Sequence, residues 1–332
     1  MPIPLIFIGI AAVTGATGIG KTIKAGVDQS KAKQINTDAL DRVDAAVERL
    51  DILRKECGTA LADLGSEKVF VLNENMMTFV RDFEKLKNVD FRDSVGLSEL
   101  SKMHIDQKDF AELGQLTNFA FELSKGTVAG VAGGAATAMG AYSAAGLWAS
   151  ASTGTAIASL HGAAATNATL AFFGGGSLAT GGLGVAGGTA VLGGLVAGPA
   201  LLVMGIVTGA KAGKNLENAK ANLAQANEIC EELEMGADQC IAIRRRTNMF
   251  YYLLTRLDAK VLNLIYQMKS VLENEGDDYS LYTPESKKVV VSAAAIAVTI
   301  KSILDTPILN EDGSLTETSE TVAGQIEERI EE

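Results

Sequence analysis

Eight residues near the start of the chain have the spacing of a phosphate-binding loop. They read GATGIGKT, from Gly15 to Thr22. In such a loop the backbone around Gly15 and Gly20 cradles phosphate groups, Lys21 reaches the outer phosphates and Thr22 holds magnesium. Residues 5–13 have the composition of a preceding strand, and a helix can follow from residue 23. The motif therefore raises the hypothesis of a nucleotide-dependent membrane remodeller.

The rest of the chain does not supply the context that this chemistry needs. A nucleotide-hydrolysing loop of this type requires a parallel sheet and an Asp that holds the metal. No alternation of strands and helices follows, and the strongest later apolar run, residues 289–300, continues as a helical pattern without that Asp. The competing interpretation of residues 1–22 is an apolar, glycine-spaced helix that ends in lysines at a membrane edge.

No other set of residues has the spacing of a catalytic or metal site. The chain has only two histidines, His104 and His161, and no Ser/His/Asp set or metal-ligand spacing. Its three cysteines, Cys57, Cys230 and Cys240, are too few and too scattered for a disulfide framework. We expect reduced, buried thiols. The sequence predicts a protein that is not an enzyme and that holds no metal or cofactor.

Charge divides the chain into two kinds of sequence. The net charge of −11 argues against a nucleic-acid partner, which would require a basic face. No Asp, Glu, Lys or Arg lies between Lys125 and Lys211, and this stretch holds 21 of the 35 glycines. We refer to residues 126–210 as the uncharged segment. Its only side chain that titrates near neutral pH is His161, which is either a functional group within a membrane or a hydrogen-bonded side chain of a helix bundle.

Glycines in the uncharged segment recur at steps of four residues, the spacing that lets helix backbones pack closely. They are Gly126, Gly130, Gly134, Gly184, Gly188, Gly194, Gly198, Gly205 and Gly209. In water each glycine disfavours a helix by up to ~1 kcal/mol relative to alanine. In lipid, helix formation is enforced because the backbone has no other hydrogen-bond partner. We therefore expect the segment to enter a membrane in two to four crossings, with candidates at 127–149, 155–173 and 185–209. An even number of crossings would return both charged arms to the same side.

Basic residues mark the edges of the apolar stretches. Lys125, Lys211 and Lys214 flank the uncharged segment, which places the charged arms on the cytosolic side. Farther along the chain, Arg244, Arg245 and Arg246 precede a Met-Phe-Tyr-Tyr run. All six are candidates for contact with lipid headgroups. The alternative for the three arginines is a solvated face or pairing with acidic neighbours such as Glu231, Glu232 and Glu234.

The charged arms have the periodicity of long amphipathic helices. Residues 28–62 place Leu40, Val43, Val47, Leu50, Leu53 and Cys57 on one stripe with coiled-coil-like spacing. Asn36 and Thr37 are candidate N-caps. Further helices are predicted over 66–88, 96–124, 213–235, 237–273 and 284–304, with breaks at 88–93 and 276–278. The acidic residues after Gly313 predict a mobile tail.

The sequence thus predicts an all-α fold of long amphipathic rods with a central Gly/Ala-rich apolar helical hairpin. The simplest arrangement is an antiparallel hairpin of rods with the uncharged segment at its tip. Five parts are expected: an apolar N-terminal segment (1–27), a rod domain (28–125), the uncharged segment (126–210), returning rods (211–275), and a C-terminal helix with an acidic tail (276–332).

This layout resembles the helical pore-forming toxins of the cytolysin A and haemolysin BL type, in architecture and not in any motif. The stretch from Ser159 to Pro199 is also similar to glycine-rich segments of poorly characterised bacterial membrane-associated proteins. The resemblance implies an oligomer that hides an apolar hairpin until it inserts into a bilayer. Residues 1–20 lack the basic start of a secretory signal. We therefore expect cytoplasmic synthesis and association with the inner membrane.

Three interpretations stay open beside a pore-forming, toxin-like protein. One is a membrane-anchored scaffold that recruits a protein partner through coiled-coil contacts. Another is the nucleotide-dependent remodeller described above. In the last, the uncharged segment is the dry core of a soluble bundle.

Overall fold

We describe the chain from a computed structural model over residues 21–91, 107–125, 139–141, 216–310 and 314–331. Of these residues 89% are helical, and they contain no strand, only two isolated bridges. The helices are α1 (Lys21–Val71), α2 (Met77–Phe83), α3 (Gln107–Lys125), α4 (Leu216–Glu275), α5 (Pro284–Asp305) and α6 (Glu317–Glu331). The all-α prediction with long helices is confirmed: α1 has 51 residues and α4 has 60.

Helices α1 and α2 are joined by one π-helical turn, Leu72–Met76. The residues on either side of this turn, Val71 and Met77, keep α-helical backbone angles, so the helix continues to Phe83. The predicted boundary near residues 63–65 is therefore wrong. Gly65 is buried in the helix, and a glycine inside a helix is tolerated where packing requires it. Likewise α4 runs without a break through Gly236, where two helices were predicted.

A seven-residue repeat runs along the buried face of both long helices. On α1 the buried positions are Asn36, Val43, Leu50, Cys57, Leu64 and Val71. On α4 they are Ala219, Ala226, Leu233, Cys240, Thr247, Leu254, Val261 and Met268. A strict spacing of seven keeps one stripe facing a partner helix, as in coiled coils. Thr247 fits this apolar seam because its hydroxyl donates to the Ile243 carbonyl at 2.8 Å.

The long helices α1 and α4 run parallel to each other, and the predicted antiparallel arrangement is wrong. Contacts between them advance in the same direction: a methyl group at Gly236 would meet the Leu50 side chain, and Arg244 pairs with Glu56. Beyond the end of α1, Asn75 of the π-helical turn donates to Asp258 farther along α4. An apolar stripe specifies which face is buried but not the direction of the partner. The chain between the two helices, residues 84–215, is long enough to return to the starting end.

The chain divides into two units, Met1–Ala46 with Leu201–Glu232, and Val47–Ala200 with Leu233–Glu332. In the first unit, Asn36 is buried and accepts a hydrogen bond from the Asn222 amide at 3.1 Å. A buried Asn on a coiled-coil seam fixes the register of the two helices. Asn36 is therefore an interior residue of α1. Thr37 donates back to the Lys33 carbonyl, so neither residue is the predicted N-cap.

In the second unit the ends of α2 and α4 meet. Lys87 donates its backbone N–H to the Asp277 carbonyl at 2.7 Å, and Tyr279 donates to the Lys87 carbonyl at 3.0 Å. Gly276 has a positive φ angle of 82° and ends α4, whereas α2 already ends at Phe83, five residues before Asn88 with its φ of 54°. The predicted break at 276–278 is confirmed. Residues 88–91 are non-helical as predicted, but α2 ends five residues earlier than predicted.

Three shorter helices complete the second unit. The aromatic ring of Phe110 on α3 lies 4.4 Å from that of Phe83 on α2. Helix α5 begins at Pro284, as predicted, and Thr283 is its N-cap. The helix is buried on most of its faces. Helix α6 buries Ser319, Ala323 and Ile326. The predicted mobile tail is therefore wrong for residues 317–331, because a stripe of small and apolar residues packs this acidic helix.

A candidate clamp on the uncharged segment

Three residues of the uncharged segment, 139–141, are described, and all three are buried in the second unit. They lie against the backbone of α1. A Cβ atom at Gly140 would stand 1.9 Å from the Leu61 carbonyl oxygen and 3.2 Å from the Gly65 nitrogen. Only glycine fits such an approach, so two helical backbones touch here through Gly140 and Gly65. This is close packing over small residues, of the kind predicted for the segment.

Hydrogen bonds hold the same three residues from two sides. The Lys68 ammonium donates to the Met139 carbonyl at 3.0 Å. The backbone N–H groups of Ile308 and Leu309, which follow α5, both donate to the Ala141 carbonyl at 2.9 and 3.0 Å. We define the clamp as Leu61, Gly65, Lys68, Ile308 and Leu309, which together enclose residues 139–141.

Lys68 is an unusual residue for the inside of a helix bundle. It is fully buried, and burial lowers its pKa to about 7, against a smaller opposing effect of the Asp305 carboxylate. A buried lysine costs free energy when it is charged, so its position requires a compensating role. That role here is to satisfy a carbonyl of the uncharged segment.

A cluster of charged residues lies beside the clamp and joins α3 to α5. The Lys301 ammonium contacts Asp305 at 2.7 Å, Glu112 at 2.8 Å and Asp109 at 3.5 Å. Burial acts to lower the pKa of Lys301, but its hydrogen bonds to Asp305 and Glu112 outweigh burial, and the pKa is raised. Burial raises the pKa of Asp305. The cluster extends the polar surroundings of Lys68 from α1 to α5 and α3.

The contact between two cysteines was not predicted from the sequence. Cys57 on α1 and Cys240 on α4 are both free and buried, and their thiols hydrogen-bond to each other. That hydrogen bond, together with burial, raises the pKa of Cys57, and it lowers the pKa of Cys240. Both cysteines occupy the seven-residue repeat, three repeats after Asn36 and Ala219 respectively. The shared phase of the two repeats was the signal that could have paired them.

Two of the three arginines form contacts within the chain. Arg244 pairs with Glu56, and Arg246 contacts Ser319 at 3.0 Å and Glu320 at 3.4 Å. Arg245 is exposed. Arg244 and Arg246 therefore pair with acidic residues, as the alternative interpretation expected. Their partners lie on α1 and α6, however, and are not the neighbouring glutamates of α4.

Most other predicted site residues lie outside the described residues. They are Gly15, Gly20, Gly126, Gly130, Gly134, Gly184, Gly188, Gly194, Gly198, Gly205, Gly209, Lys211, Lys214 and His161. Lys21 and Thr22 begin α1, and Lys125 ends α3. Within the described ranges, no group of His, Cys, Asp and Glu side chains has the arrangement of a metal site. In the same ranges, no helix combines the length and apolarity that a membrane crossing needs.

Comparisons with known proteins give no relative of this chain. No protein-family model, no curated protein and no solved structure matches it.

Proposed function

We propose that this protein perturbs membranes by inserting its uncharged segment into a bilayer after that segment leaves the clamp. The observation that carries the proposal is the burial of residues 139–141 between α1 and the chain after α5. These residues belong to a stretch of 85 residues without a charged side chain. A segment of that length and composition is typical of membrane-crossing helices.

The hydrogen bonds of the clamp are of a kind that a membrane helix can replace. The Met139 and Ala141 carbonyls accept from Lys68, Ile308 and Leu309. In an uninterrupted helix the same carbonyls would accept from backbone N–H groups four residues later. Every backbone polar group in lipid must be satisfied in this way. A continuous helix in lipid would therefore satisfy these carbonyls after the clamp hydrogen bonds are lost.

After insertion, the glycines at four-residue steps would pack between copies of the chain and form an oligomer. The charged helices would stay in the aqueous phase on the cytosolic side of the inner membrane. This function is non-enzymatic and needs no cofactor.

The test is a liposome assay with the purified full-length chain and vesicles of phosphatidylethanolamine and phosphatidylglycerol. We expect dye release together with protein that stays in the vesicle pellet after a carbonate wash. Carbonate-resistant protein without dye release would favour the membrane-anchored scaffold over the pore. Protein that never associates with vesicles, over a range of pH and ionic strength, would mean that the uncharged segment is the core of a soluble bundle.

The nucleotide-dependent alternative is tested in the same assay. If dye release requires ATP and magnesium, and Lys21→Ala abolishes this ATP-dependent release, the phosphate-binding loop is functional. Dye release that is independent of ATP and unchanged in Lys21→Ala would remove this alternative.

A further inference from the structure

A groove in the second unit lies between α1 and α4. It has a volume of about 530 Å³. Five of its lining residues come from α1 (Ala60, Asp63, Ser66, Glu67 and Phe70) and two from α4 (Asn248 and Tyr251). A volume of this size is within the usual range of small-molecule sites.

The walls of this groove offer open aromatic surface. Phe70 is 53% exposed and Tyr251 is 39% exposed, one from each helix. Both rings therefore leave aromatic surface available to a ligand in the groove. Aromatic faces attract cations and also bury methylene groups.

The polar side of the groove is acidic and lacks a basic partner. Burial raises the pKa of Glu67, and the neighbouring carboxylate of Asp258 raises it further. Asp258 accepts a hydrogen bond from Asn75 at 2.7 Å, and burial raises its pKa too. Among the described residues, no lysine or arginine forms an ion pair with Asp63, Glu67 or Asp258. Like charges left together in this way favour a cationic ligand.

The spacing of the carboxylates indicates which cation fits. Asp63 and Glu67 are four residues apart on α1, so their Cβ atoms lie about 5–6 Å apart. Two ammonium groups joined by three or four methylene groups have a matching separation. Such a molecule would place its ammonium groups on the carboxylates and its methylene groups against Phe70 and Tyr251.

We propose that the groove between α1 and α4 binds a linear polyamine through Asp63, Glu67, Phe70 and Tyr251. The net charge of −11 attracts polycations to the protein as a whole. The groove adds what general attraction lacks, namely a pair of carboxylates at fixed spacing beside two aromatic rings. This inference does not depend on the proposed function.

The test is isothermal titration calorimetry of the full-length chain with spermidine at about 0.15 M salt, where long-range attraction is screened. We expect one site per chain. Glu67→Gln and Asp63→Asn should each weaken binding by about tenfold, the loss of one charge-assisted contact. Butylamine, with a single ammonium group, should also bind at least about tenfold more weakly.

Glu48→Gln is the matched control, because Glu48 is an exposed carboxylate of α1 outside the groove. It should leave spermidine binding unchanged. Circular dichroism melting checks that each variant is folded. If Glu67→Gln is unstable, Asp63→Asn provides the test instead, because Asp63 is exposed. The proposal is overturned if spermidine does not bind, if it binds at several equivalent weak sites, or if Glu48→Gln weakens binding as much as Glu67→Gln does.

Discussion

At the scale of single residues, Gly140 is the most restrictive position of the clamp. A methyl group there would overlap the Leu61 carbonyl oxygen of α1. We expect Gly140→Ala to lower the free energy of unfolding by roughly 1–3 kcal/mol, the cost of forcing an extra group into a packed interior. Urea denaturation followed by circular dichroism measures this change.

Gly58→Ala provides the matched control for that prediction. Gly58 lies inside α1, and a Cβ atom there would meet nothing within 4 Å. We expect this variant to gain roughly 0.5–1 kcal/mol, because alanine favours a helix interior over glycine. If both variants shift stability in the same direction, residues 139–141 do not approach α1 as closely as described.

Lys68 predicts a pH dependence of stability. Its pKa is about 7 in the folded protein and 10.5 when unperturbed. Between these values the unfolded chain binds a proton that the folded chain lacks, so stability rises as pH increases from 7 towards 10. Below pH 7 the full cost of a buried charge applies, on the order of a few kcal/mol.

We therefore expect Lys68→Met to be more stable than the wild type near pH 6 and to lose much of the rise above pH 7. Denaturant melts at several pH values measure the difference between the two proteins. Lys288→Met, at an exposed lysine of α5, is the control and should follow the wild-type curve. A Lys68→Met curve parallel to that of the wild type over this range would contradict the assignment.

At the scale of helices, the Lys301 cluster joins α3 to α5 beside the clamp. Removing Lys301 leaves Asp305, Glu112 and Asp109 without their shared cation. We expect Lys301→Met to destabilise the protein by roughly 2–4 kcal/mol, as for other half-buried ion pairs that lose one partner. Thermal and urea unfolding measure this loss.

Lys108→Met tests whether that loss is specific to the buried cation. Lys108 is 78% exposed in its side chain and pairs with Glu112 at 3.6 Å. Exposed ion pairs contribute at most about 1 kcal/mol. An equal loss of unfolding free energy in Lys108→Met and Lys301→Met would show that burial of the lysine between α3 and α5 does not matter.

Much of the helical content followed from sequence, because burial at steps of three and four specifies a helix and its inner face. Val43, Leu50 and Cys57 were assigned to that face, and all are buried. Pro284 and Gly276 marked real boundaries because their backbones favour helix starts and ends. The π-helical turn at Leu72–Met76 had no such local signal, since it inserts one residue without changing composition.

The clamp was not predictable from the same patterns. No sequence pattern marks Lys68 as buried, and only the tertiary structure places it in the interior against Met139. Gly140 was outside the four-residue glycine steps that were singled out. Its importance comes from the opposing backbone of α1, which no pattern within the uncharged segment reveals.

At the scale of the whole molecule, the parallel course of α1 and α4 is the main departure from expectation. It can be tested by cross-linking in a background where the three native cysteines are replaced by alanine. We expect the pair Glu56→Cys and Arg244→Cys to form a disulfide on mild oxidation, because these side chains are in contact.

The matched pair is Asp63→Cys with Glu273→Cys, which an antiparallel hairpin centred on the uncharged segment would bring together. In the parallel arrangement Glu273 is roughly 33 Å farther along α4 than Tyr251, which lines the same groove as Asp63. Preferential cross-linking of the Glu273 pair would show that the helices are antiparallel.

The central claim is that the uncharged segment enters a bilayer when the clamp no longer holds it. The most direct measurement is photolabelling from a carbene reagent confined to the hydrocarbon of liposomes, followed by mass spectrometry of peptides from the wild type, Gly140→Ala and Gly58→Ala. The account predicts label within residues 126–210, several-fold more in Gly140→Ala than in the other two proteins, and none on α1 or α4. Absence of label from residues 126–210 in all three proteins, or equal labelling in Gly140→Ala and the wild type, would contradict it.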